Sequence, residues 1–242
     1  MKTLLRLRIE RAKELLRAML REGLTFKWST QVRADIVSDL ELLDLMKQSG
    51  CHTLFIGFES FNPESLKEMK KKQTVDDIIK AVRIIHSYNI HIHGMFVHGF
   101  DSDTWESVKM TVEYAKKMRL TSAQFLMLTP FPGSEFYNHV EKRIVFPDWS
   151  MYDAHHVVYS PLHFSIKSLQ RAQTYSHEKF YSFSEIIKKA LRKNWIAAGI
   201  AVYARIINRR WKKNNREYLK EIARMESRCK QRAQDILAVE KA

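Results

Sequence analysis

IHIHGMFVHGFDSDTWESVKMTVEYAKKM, residues Ile90–Met118, sets the reading of this chain. An apolar run over Ile90–His98 ends at Gly99, and a short polar turn follows. From Trp105 the apolar residues Val108, Val112 and Ala115 recur at helical spacing. A strand that leaves through a glycine turn into a helix is one βα unit. Working outward, the same order repeats on both sides. Upstream, strand Thr53–Phe58 runs through Glu59-Ser60 into a short helix opened by Asn62-Pro63, where proline is tolerated, and then into a helix over Val75–Tyr88 with Ile78, Ile79, Val82 and Ile85 on one face. Further upstream, Thr25–Val32 alternates like a strand and leads to Arg33 and Asp35. Ser38 and Asp39 can cap the next helix, which carries Leu40, Leu43, Leu45 and Met46 and stops at Gly50. Residues 4–22 read as an amphipathic helix. Downstream, strand Ala123–Leu128 leaves through Thr129-Pro130-Phe131-Pro132-Gly133.

About four such units are present, against the eight of a closed barrel. The expected fold class is therefore α/β: a partial (β/α) TIM-type barrel with parallel strands and outer helices, followed by an α-helical tail. Three regions result: the partial barrel over 1–148, an aromatic- and His-rich helix-and-loop extension over 149–187, and a basic helical tail over 188–242. From Glu185 on, the pattern reads as one or two long helices.

Composition narrows the classes of function. At 242 residues and 45% hydrophobic, the chain can bury a sizeable core. Its only cysteines, Cys51 and Cys229, give neither a metal spacing nor a disulfide framework, which suits a reducing cytosol. The opening MKTLLRLRIERAKELL is interrupted by charge and lacks the continuous apolar core and small-residue cleavage site of a signal peptide. The longest apolar run of the tail, Trp195–Ala204, is shorter than the roughly 20 residues a bilayer demands. The expected location is cytoplasmic, with peripheral attachment to the inner membrane face as an option.

Charge is unevenly placed. The chain is +14, and Lys188–Ala242 alone holds 16 Lys/Arg against 5 Asp/Glu. Arg205, Arg209, Lys212, Arg216, Lys220, Arg224 and Arg228 recur at three-to-four spacing. Trp195, Ile196, Tyr203, Tyr218 and Ile222 supply apolar surface beside them. Such a tail can lie on an anionic membrane surface, bind a partner, or present a solvated face on its own domain. No nucleic-acid-binding motif accompanies the charge, so nucleic acid is not expected as a partner.

Three strand exits carry the candidate chemistry. Glu59 ends an apolar strand and must find donors or solvent. It can receive a ribose hydroxyl or an amino group, or simply pair with a lysine, and Ser60 or Asn62 can be a helix cap. Gly99 permits positive φ or close backbone approach to a flat ligand, and Phe100 follows it; a tight βα turn explains the same residues. Leu128 and Thr129, held by a rigid proline-flanked exit, could lie against a flat ring or form an ordinary turn. His91, His93 and His98 share a strand, but without a Cys or carboxylate at zinc spacing they read as interior or surface histidines and give no metal site.

The wording around these exits resembles the radical S-adenosylmethionine (SAM) superfamily, in particular its branch with a cobalamin (B12)-binding domain. The resemblance covers about residues 10–185. It rests on KWSTQVRADI (Lys27–Ile36), LLDLMKQSGC (Leu42–Cys51), LFIGFES (Leu54–Ser60), KKKQT (Lys70–Thr74), MFVHGFDSDT (Met95–Thr104), LTPFPGS (Leu128–Ser134) and DWSMYD (Asp148–Asp153). It implies SAM as cofactor, with Glu59 and Ser60 at its ribose or methionine part and Gly99 and Phe100 flanking the adenine. Leu128 and Thr129 would cover the adenine, and Arg33 or Lys72 would approach the carboxylate. For the whole family it implies a 4Fe–4S cluster and cobalamin, and it implies SAM-dependent radical chemistry or methyl transfer on a small molecule. The departure is the CxxxCxxC cluster motif, which this sequence lacks. The expectation is thus a C-terminal portion without activity alone, completed by a polypeptide supplying the N-terminal half. The alternative is a non-catalytic interaction module with a vestigial pocket and a membrane- or partner-binding tail.

Overall fold

The structure, a computed structural model, describes residues 2–69, 71 and 73–239, with side chains over 9–227 of these. Helix α1 (Lys2–Arg21) leads to β1 (Trp28–Val32), α2 (Leu40–Gln48), β2 (Cys51–Glu59), α3 (Pro63–Glu68), α4 (Val75–Ser87), β3 (His91–His98), α5 (Trp105–Lys117) and β4 (Ser122–Met127). The strands form one parallel sheet in the order β1-β2-β3-β4, the βα repeat of a barrel with four of its eight units. Then come α6 (Glu135–Val140), α7 (Ile166–Phe180), α8 (Phe183–Leu191), α9 (Trp195–Asn214) and α10 (Arg216–Val239). Two compact units divide the chain, one made of 1–96 with 113–124 and the other of 97–112 with 125–242.

Local chemistry places the helix starts. The Asp39 carboxylate accepts from Leu42 N–H at 3.0 Å, and Thr74 with Asp77 makes a reciprocal capping box. In the first unit, Leu54, Ile56 and Phe58 of β2 and Ile92 and Phe96 of β3 are fully buried with Leu43, Ile78 and Ile85 of the helices. The alternate residues, Phe55 and Gly57 of β2 and His91, His93 and Met95 of β3, form a half-buried face on the other side of the sheet. Glu59 lies at the end of the Phe55–Gly57 row.

In the second unit, Val108, Met127, Val157, Phe164, Leu169 and Ala172 make one core, and Phe146, Val158, Tyr218 and Ile222 another. Helix α7 is regular although its sequence has no clear period. Its buried side mixes Gln170, Gln173 and Ser176 with Leu169, Ala172 and Phe180, so hydropathy does not mark the inner face. Gln173 Nε2 donates to Phe125 O, Gln170 Nε2 donates to His155 O, and Tyr218 Oη donates to Gln170 Oε1, which satisfies those buried groups.

The basic tail differs from the sequence expectation. It is three helices, because Ser182 and Asn194 cap new starts and Lys193 takes a left-handed φ of 58° between them. Its positive stripe is also partly spent within the unit. Arg205 donates to Tyr181 O at 3.0 Å, Lys212 pairs with Glu178, and Tyr218 and Ile222 are buried.

Candidate functional site

At the C-terminal end of β2 the backbone of Glu59 turns left-handed, at φ 64°, a conformation a non-glycine residue adopts only where its surroundings impose it. The turn folds the carboxylate back over Gly57. A Cβ built on Gly57 would stand 2.5 Å from Glu59 Oε1, so the glycine makes the room. Lys71 Nζ meets the same oxygen at 2.8 Å and also donates to Gly57 O at 3.1 Å. Gln73 Nε2 donates to Phe58 O, fixing the segment that brings Lys71 there. The result is an ammonium and a carboxylate side by side, both partly open to solvent, beyond the half-buried face of the strand. Such a pair can receive a zwitterion, the ligand's ammonium on Glu59 and its carboxylate on Lys71.

The remaining candidates of this unit are placed as follows. Ser60 is buried, and its Oγ accepts from Asn62 N–H at 3.0 Å, while Asn62 caps α3. Arg33 is exposed and pairs with Asp35 at 3.2 Å. Lys72 lies outside the described residues. His91 and His93 bond Thr121 and Ser122 at 3.1 and 2.8 Å.

The second unit holds the turn after β3. Gly99, at φ 112°, has Leu128 and Leu169 where a side chain would go. One oxygen of buried Asp103 accepts both the Gly99 and Phe100 N–H groups, at 2.9 and 3.1 Å, and its other oxygen accepts from Ser107 Oγ. The Gly99 carbonyl accepts from Tyr159 Oη. Leu128 N–H donates to His98 O, and Thr129 Oγ1 donates to Met127 O. Gly99, Leu128 and Leu169 thus meet in one apolar seam, and the turn's amides are already occupied by the chain's own carboxylate. Asp101 makes a two-point ion pair with Arg143 at 2.7 and 2.9 Å. Burial raises the Asp101 pKa, but the Arg143 guanidinium and the Leu162 N–H together outweigh it and hold the carboxyl below its ordinary value.

Sequence reasoning missed Lys71, Tyr159 and Arg143. Lys71 was visible as one of three consecutive lysines, and only the path of the chain selects it. Tyr159 and Arg143 act across more than 40 residues with no local signal.

The family's iron–sulfur cluster needs three cysteine thiolates in a CxxxCxxC loop, and the two cysteines of this sequence do not fit it. Cys51 is buried at the opposite end of β2 from Glu59, and burial pushes its thiol up to about 11.

Residues 3–131, just over half of the chain, match the sequence profile described as "Radical SAM superfamily". The chain is 31% identical over 186 residues to bacteriochlorophyllide d C-12(1)-methyltransferase of Chlorobaculum tepidum, covering 76% of this chain and 40% of that one. In fold it is similar to the radical S-adenosylmethionine methyltransferase TsrM from Kitasatospora setae, solved with cobalamin and a 4Fe–4S cluster. That match has a TM-score of 0.50 at 22% identity over 58% of this chain and 28% of TsrM. It is also similar to OxsB, a cobalamin-dependent S-adenosylmethionine radical enzyme solved with aqua-cobalamin and S-adenosylmethionine. Here the TM-score is 0.56 at 16% identity over 90% of this chain and 40% of OxsB. The chain therefore spans well under half the length of the relatives it matches.

Proposed function

The chain belongs to the radical SAM superfamily, and we propose that it serves the cobalamin-dependent methyltransferase branch as a SAM-holding portion whose cluster comes from residues outside this sequence. The observation that carries this reading is the Glu59–Lys71 pair. Its charges are complementary to the amino-acid end of SAM, and the left-handed turn at Glu59 with its glycine clearance is built to present them. Bound SAM supplies a transferable methyl group and, on reduction, a source of the 5′-deoxyadenosyl radical.

In this reading Glu59 accepts from the ligand's ammonium and Lys71 neutralises its carboxylate. Both groups are already oriented by each other and by the Gly57 carbonyl. In the second unit, the turn at Gly99 and Phe100 has no free amide to offer a ligand, because Asp103 holds both N–H groups. Asp103 and Tyr159 are then positioning residues for that turn. No step is assigned to a cluster, since the sequence carries no CxxxCxxC motif.

The test is equilibrium binding of SAM and S-adenosylhomocysteine to the full chain. Both should bind. Glu59→Gln and Lys71→Met should each weaken them about tenfold, the worth of one charged hydrogen bond. Absence of binding by the unaltered chain overturns the reading. It would favour the alternative, a non-catalytic interaction module, which the lack of a thiolate triad supports.

A further inference from the structure

Helices α8 and α9 are built inside out. In α9 the buried residues are small, Ala197, Ala198 and Ala201, while six bulky apolar residues between Trp195 and Ile207 point to solvent. Trp195 is 69% exposed and Tyr203 65%, and Ile196, Val202, Ile206 and Ile207 are exposed along the same face at helical spacing. Helix α8 repeats the inversion. Its buried residue is Glu185, and its outward stripe is Phe183, Ile187 and Leu191, the last 79% exposed. Leu191 and Trp195 bracket the turn between the two helices. A soluble domain scatters exposed apolar residues singly; a two-helix stripe of this kind calls for a cover.

Charge identifies the cover. From Ile186 to Arg216 the sequence has ten Lys/Arg and no Asp/Glu. Arg192 and Lys193 stand exposed at the turn, and Arg209, Arg210 and Lys213 stand exposed at the far end of the α9 face. An apolar stripe with aromatic residues and cations at both ends, free of acids, is the composition of a helix that lies in the headgroup layer of an anionic bilayer. Among the described residues, no helix is long and apolar enough to cross a membrane. We propose that the α8–α9 hairpin docks flat on an anionic lipid surface through Phe183, Ile187, Leu191, Trp195, Val202 and Tyr203, with Arg192 and Lys193 at the headgroups. The proposal does not depend on SAM binding.

The experiment is flotation of the full chain with phosphatidylcholine vesicles, with and without phosphatidylglycerol. Binding should need the anionic lipid and fall as salt rises, and Trp195 emission should shift to the blue, a change missing in Trp195→Phe. Leu191→Glu alters a side chain that is almost fully exposed, so the fold tolerates it. It should reduce partitioning about tenfold or more. Arg192→Gln with Lys193→Gln should reduce binding to the anionic vesicles and leave the circular dichroism unchanged. Equal binding to both vesicle types, or full binding by Leu191→Glu, overturns the proposal. So does an unaltered chain that ignores vesicles while Leu191→Glu converts a dimer to a monomer, which would assign the face to a second copy.

Discussion

Glu59 shows how one backbone angle can organise a rim. The left-handed turn points its carboxylate along the strand it has just left, and only a glycine two residues back leaves space for it. In Gly57→Ala the methyl meets the flexible end of Glu59 rather than backbone, so the side chain can swing away. The expected stability loss is small, about 1 kcal/mol, while the Lys71 pair is broken and SAM affinity falls with it. A calorimetric melt alongside a binding titration checks both halves.

Two other residues give a pH prediction. His98 is buried and His177 half-buried, both against the ring of Phe125, and loss of solvation pulls each down to about 4 from 6.5. The unfolded chain then binds more protons than the folded one between those values. The stability they hold is complete above 6.5 and drains as pH falls towards 4, by about 3 kcal/mol apiece. Urea midpoints measured against pH should slope accordingly, and His98→Gln or His177→Gln should flatten the slope. The role of Glu59 as a strand-end carboxylate was legible from its place in the sequence. Its partner was not, because three adjacent lysines look alike until the chain's path is known.

At the scale of elements, the first unit was readable because strands and helices there carry one burial period each. Its boundaries differ from the expected ones by a residue or two, apart from β1, which starts at Trp28. The preceding residues are occupied by the approach of Phe26 to Gly50. A Cβ on Gly50, at φ 97°, would run into the Phe26 carbonyl oxygen. Neither partner is a flexible tip, so Gly50→Ala should cost about 3 kcal/mol or more and lower the yield of folded chain, measurable by denaturant unfolding. Helix α7 escaped the reading because glutamines and serine hold its inner face. Helix α10 is anchored by the same chemistry: Val157 N–H donates to Tyr218 Oη at 2.9 Å. Tyr218→Phe leaves that network short of one member and should destabilise the second unit by about 1–2 kcal/mol, visible as faster amide exchange at Val157.

Over the whole molecule, the α/β class and the family were both visible in the order of the strand exits, since each exit is a local phrase of sequence. The tail was half legible: its charge could be counted, but which face it presented depended on alanines packing inward. A whole-molecule consequence follows for activity. The chain incubated with iron, sulfide, SAM and a strong reductant should yield no 5′-deoxyadenosine, and a cysteine-bearing polypeptide from a relative should restore it. Product from the chain alone would contradict the account of Cys51.

The ring of Phe125 lies nearly parallel to His98, 5.7 Å away at 10°, and edge-on to His177 at 5.3 Å and 82°. Its circulating π-electrons must therefore displace the imidazole carbon protons of His98 upfield from those of the other histidines. Those signals should stay fixed across the neutral range while solvent-facing imidazoles drift. A proton NMR spectrum thus contains an internal gauge of whether β3, β4 and α7 are still assembled, with no label or ligand added.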